Sequence, residues 1–150
     1  MIEYVVACKD DMELMMQIRL EMLRVVNSLP SDYEFSKEFI DNSREYFNCD
    51  DQTTVLAVDE CVIGCATICY IKMMPTFSHS TGKRAHLMNV YTRSEYRRQG
   101  VALHMLNILI DKAKEKGVTE ISLDATEQGK PLYKKCKFVE SEECMVLNLK

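Results

Sequence analysis

The sequence predicts an α/β fold in which one mixed, mostly antiparallel sheet of about six to seven strands is flanked by about four helices. Three observations predict it. Short runs of β-branched and apolar residues alternate with stretches of helical spacing. A strand, a helix and a second strand over 84–124 imply one right-handed parallel crossover. The 150 residues suffice for one domain with its own core. The whole chain, 1–150, therefore reads as a single domain.

Each element follows in order. IEYVVAC (2–8) is a β-branched first strand. Asp10 stands three residues before Glu13, a capping-box spacing. A helix with Leu14, Ile18, Met22 and Val25 on one face follows, ending near Asn27 and before Pro30. Ser31 with Glu34, or else Ser36, starts a second helix that ends near Phe47. Residues 53–74 read as a hairpin turning at Asp59-Glu60, and 75–82 as a loop. A strand over 83–92 leads into a helix opened by Gly100 and closed by Lys112, Lys114, Lys116 and Gly117. Residues 118–125 form the next strand, 130–135 a short helix, and 138–140 with 143–149 a final strand pair.

Composition narrows the class. No run of about 18 apolar residues occurs, so no membrane partner is expected. The first residues lack a basic region and a long apolar stretch, so no secretory signal is read and a cytoplasmic location is expected. A net charge of −4 argues against nucleic acid as a partner. The seven cysteines form no C-x-x-C pair, and no metal site is expected. Cys61, Cys65 and Cys69 fall on one strand face and read as small core residues in a reducing compartment, with a catalytic thiol as the alternative.

Charge is unevenly spread. Residues 31–51 hold seven carboxylates against Lys37 and Arg44. Residues 83–98 hold Lys83, Arg84, Arg93, Arg97 and Arg98 against Glu95 alone. Arginines just before a helix are unfavourable at its positive end unless an anion joins them. Gly100 lets a ligand approach the backbone, Ala102 is small, and Arg97 and Arg98 add bidentate donors. Together they predict a phosphate or pyrophosphate at the start of the helix. The chain has neither G-x-x-x-x-G-K-[ST] nor G-x-G-x-x-G, which excludes P-loop and Rossmann sites.

A longer pattern is more specific. Arg97-Arg98-Gln99-Gly100-Val101-Ala102 follows a strand and opens a helix, and a second strand leads to Ala125, Gly129, Leu132, Tyr133, Lys135 and Phe138. Over residues 87–140 this resembles the GNAT superfamily of N-acetyltransferases. Where that family usually has glycine this chain has Cys136, and where it often has proline this chain has Ser94.

The resemblance implies a V-shaped splay between strands 4 and 5 and acetyl-coenzyme A as cosubstrate, with no metal. Its diphosphate is expected on the backbone amides of Arg98, Gln99, Gly100, Val101 and Ala102, with the Arg97 side chain also at the coenzyme. Its pantetheine arm is expected along Val90, Tyr91 and Thr92, with Thr126 and Gly129 also at the coenzyme. By the same resemblance Tyr133 is the candidate acid for the leaving thiolate. His86 and Asp124 are candidate bases, and bulk water is an alternative. Arg19 and Glu21 on the first helix are candidate acceptor residues.

The acceptor is expected to be a primary amine on a small molecule or peptide. The carboxylates of 31–51 suggest a cationic one. A homodimer is a further expectation, since dimers are frequent among such proteins. Two other readings remain: a non-catalytic acyl-coenzyme A sensor, and an unrelated phosphate-binding structural domain. The presence of Tyr133 favours the enzyme.

Overall fold

Period-two alternation sorts the strand side chains onto two faces, and each face meets its own helices. The computed structural model describes all 150 residues. Its strands are β1 (Glu3–Val6), β2 (Gln52–Asp59), β3 (Cys61–Lys72), β4 (Lys83–Thr92) and β5 (Glu120–Leu123). They form one five-stranded sheet in that order, antiparallel throughout except for the parallel β4–β5 pair. The helices are α1 (Met12–Val26), α2 (Lys37–Phe47), α3 (Val101–Glu115) and α4 (Lys130–Lys135).

Two apolar layers result. Val55, Ala57, Ile63, Ala66, Ile68, Ala85 and Leu87 meet Val101, Met105, Leu106 and Leu109 of α3. On the other face Leu56, Val62, Cys65 and Tyr91 meet Met15, Met16, Ile18 and Met22 of α1 and Phe47 of α2. These layers carry the predicted α/β class and its single parallel crossover through α3.

The structure corrects several details. The sheet has five strands, because 138–140 and 143–149 pair with nothing. The apolar alternation of 143–149 is a strand pattern without a neighbouring strand. Asp10 and Glu13 do not cap α1. A single 3-10 turn (Lys9–Asp11) precedes the helix, and the Cys8 N–H donates to Asp11 Oδ2 at 2.9 Å. Glu13 is instead drawn to Arg44 of α2. Helix α2 starts at Ser36, whose hydroxyl accepts from the Phe39 N–H at 3.2 Å. The β2–β3 turn places Glu60 at φ 63°, between paired Asp59 and Cys61. Only Cys65 of the seven free cysteines is fully buried.

Gly64 marks where β3 and β4 crowd α3. A Cβ there would lie 2.8 Å from the Tyr91 carbonyl oxygen and 3.4 Å from Met105 Cε. Backbone cannot yield as a side-chain tip can. Gly64→Ala is expected to lower stability by about 1–3 kcal/mol through overpacking, read as a fall in the urea midpoint at constant m.

Candidate active site

Strand β4 carries a bulge at its centre. Pairing with β3 runs from Thr67–Met88 to Cys65–Tyr91, so Asn89 and Val90 both face Ala66. Asn89 has φ 60°, left-handed backbone that asparagine tolerates better than most residues. Consecutive side chains of a regular strand point to opposite faces. Here Met88 and Asn89 both line a cavity of about 220 Å³ on the α1–α2 side. Arg19 of α1, Phe39 and Tyr46 of α2, and Cys69 of β3 also line it.

A directional hydrogen-bond chain holds the bulge. Arg19 Nη1 donates to Asn89 Oδ1 at 3.2 Å. Asn89 Nδ2 donates to Thr67 Oγ1 at 3.0 Å, and the Thr67 hydroxyl lies 2.8 Å from that of Thr54. Thr54 donates to Gln52 Oε1 at 2.8 Å, and Gln52 Nε2 donates to the Phe47 carbonyl at 3.0 Å. The Cys65 thiol donates to the Asn89 carbonyl at 3.2 Å; burial pushes it up to about 12, so it keeps its proton. Buried polar groups are tolerable only when each finds a partner, and the side chains of Asn89, Thr67 and Thr54 meet that condition.

Beyond the bulge β4 leaves its parallel neighbour. Pairing covers only Arg84–Leu87 against Glu120–Leu123, while β4 runs on to Thr92. From Met88 onward its outer edge has no strand beside it. At the parting point His86 Nδ1 lies 2.8 Å from Ser122 Oγ, and His86 Nε2 lies 3.6 Å from Asp124 Oδ2. Tyr133 of α4 is half-buried and packs edge-on against Phe138. Burial raises its phenol above the ordinary 10.0. Its hydroxyl bonds to no other group of the chain, so its proton is free for an outside partner.

The loop after β4 is a candidate anion cradle. Arg98 at φ 62° and Gly100 at φ 78° both adopt left-handed backbone. The N–H groups from Arg98 to Leu103 donate to no protein acceptor. A Cβ on Gly100 would meet nothing within 4 Å, so glycine is needed there for backbone conformation, and space is open before it. That space, about 660 Å³, is lined by Ser94, Arg97, Arg98 and Gln128. Free amides, the positive end of a 15-residue helix and two arginines suit a diphosphate.

A model of the acetyltransferase (GNAT) family matches residues 14–138. The chain belongs to this family. A predicted acetyltransferase from Clostridium acetobutylicum, solved with acetyl-CoA, is 29% identical with a TM-score of 0.86 over 99% of this chain and 96% of that one. A GCN5-related N-acetyltransferase from Ralstonia eutropha JMP134 shares the fold at 21% identity, with a TM-score of 0.77 over 99% of each chain. A probable glucosamine 6-phosphate N-acetyltransferase of Oryza sativa subsp. japonica is 34% identical over 64 residues, which is 43% of this chain and 39% of that relative.

On this GNAT fold the residues singled out in the sequence fall in distinct places. Val90, Tyr91 and Thr92 lie on the stretch of β4 with the open edge, and Arg97 to Ala102 form the cradle. Gly129 directly precedes α4; its N–H lies 3.2 Å from Thr126 Oγ1, and a Cβ there would sit 3.1 Å from the Tyr133 ring. His86 and Asp124 meet at the mouth of the splay. Arg19 enters the cavity, but Glu21 does not line it. Arg93 Nε and Nη2 grip both Glu21 oxygens at 2.8–3.2 Å.

Asn89, Thr67, Phe39 and Tyr46 are cavity residues that sequence reading missed. An asparagine inside an apolar, β-branched run was the available signal, since strands are depleted in it. Asn89→Leu should cost about 1–3 kcal/mol, because it strands donors and acceptors along the chain. Urea unfolding measures this, and an unchanged midpoint would show that the network does not hold the bulge.

Proposed function

We propose that this protein is an acetyl-coenzyme A-dependent N-acetyltransferase acting on a primary amine by direct attack in a ternary complex. One observation carries the reading: the free amides of 98–103 open beside the strandless edge of β4. A phosphate-bearing carrier held by the first would lay its arm along the second, as an added strand does.

Each part of the chain has a task. The amides of Arg98 to Leu103, with Arg97 and Arg98, hold the diphosphate. Arg97 Nε also donates to the Thr92 carbonyl at 3.0 Å, which ties the cradle to the end of β4. The backbone of Val90, Tyr91 and Thr92 aligns the arm, and Thr126 and Gly129 border it from the turn before α4. Acetyl-coenzyme A supplies an activated acyl group, a thioester with a good leaving group. A free amine near pKa ~10 is mostly protonated at neutral pH, so a base is needed. His86 Nε2 accepts that proton, with Asp124 beside it and Ser122 orienting the other nitrogen. Tyr133 Oη gives its proton to the departing sulfur, and burial keeps it protonated for that purpose.

Release of free thiol from acetyl-coenzyme A with an amine panel tests the proposal. The panel should include glucosamine 6-phosphate, for which the rice relative is named. Tyr133→Phe is expected to lower kcat about 100-fold. Because the tyrosine is shifted upward, the wild-type rate should hold until about pH 10 and fall only as the phenol ionises. A loss centred near neutrality would remove Tyr133 as the acid. Thermal stabilisation by acetyl-coenzyme A without thiol release on any amine would leave a binding module instead of an enzyme.

A further inference from the structure

The cavity between the sheet and helices α1 and α2 holds a cation with no anion to match it. Arg19 is half-buried, and its one hydrogen bond goes to the neutral amide oxygen of Asn89. A guanidinium has five donors, so most remain unused. No carboxylate lines the cavity. The nearby acids are engaged elsewhere or face solvent: Glu21 is held by Arg93, Glu13 by Arg44, Asp41 by Lys37, and Glu38 and Glu45 are exposed. The remaining walls are neutral: Phe39, Ser43, Tyr46 and Thr67 among them. An uncompensated, partly desolvated guanidinium is costly unless a ligand supplies the counter-charge.

Resting on the acetyltransferase reading, we infer that Arg19 receives an acidic group of the acceptor, so that the amine acetylated here belongs to a small molecule that also bears a carboxylate or phosphate. A cavity of about 220 Å³ suits a molecule of amino-acid or amino-sugar size. Asn89 presents Arg19 beside the bulge, so the anchored end of such a molecule lies close to where the strands part. The carboxylates of 31–51 stand outside this cavity and place no negative charge within it.

Matched probes test the assignment. Thiol release is compared for leucine against isoamylamine, and for glucosamine 6-phosphate against glucosamine. At least one acidic member should have a kcat/KM about 10- to 100-fold above its partner, the range of a charge-assisted hydrogen bond. Whichever pair shows it distinguishes carboxylate from phosphate. In Arg19→Met that ratio should collapse toward one, and Arg19→Lys should restore part of it; a ratio cancels any general loss of fold. A wild-type ratio near one in both pairs, or a ratio that Arg19→Met leaves intact, overturns the assignment while the enzyme reading stands. No thiol release with any acidic, neutral or cationic amine overturns both.

Discussion

The organisation of this protein depends on a left-handed residue in the middle of a strand. Asn89 makes β4 bulge. The bulge turns two successive side chains to one face and forms the floor of the cavity between the sheet and helices α1 and α2. Such backbone is held only when its surroundings over-determine it. Here the surroundings are a run of side-chain hydrogen bonds from Arg19 to the end of α2, with a protonated thiol beneath. One residue thus couples the shape of the cavity to the packing of two helices against the sheet.

The second constraint is the parting of β4 and β5. A parallel pair that ends at Leu87 and Leu123 leaves β4 with an edge that still needs hydrogen-bond partners, and a loop that opens a helix with its amides free. Both features are liabilities in a protein that binds nothing. Together they are complementary to a ligand with a phosphate head and an amide-bearing tail. The arginines before α3, unfavourable toward the helix dipole by themselves, become favourable once an anion lies there.

Much of this was legible in the linear chain. Gly100 and the arginines before it pointed to an anion at a helix start because that chemistry is contiguous. The helices and the first four strands follow from periodicity, since each buries a face set by its own residues. Other expectations failed for reasons that lie outside the local sequence. Glu13 was read as a cap, but Arg44, 31 residues away, takes it in an ion pair. Glu21 is tied to Arg93, a pairing that spacing along the chain does not announce. Residues 143–149 have a strand's pattern and no strand beside them.

By itself the sequence determined the order of the four helices and the first five strands, the glycine turn before α3 and the resemblance to the family. Each depends on residues close together in the chain, where backbone preference and spacing act directly. Only the tertiary structure decided where the bulge falls, which carboxylates are neutralised and which cation is left without a partner. Those outcomes are competitions between groups far apart in sequence, and distance in space settles them.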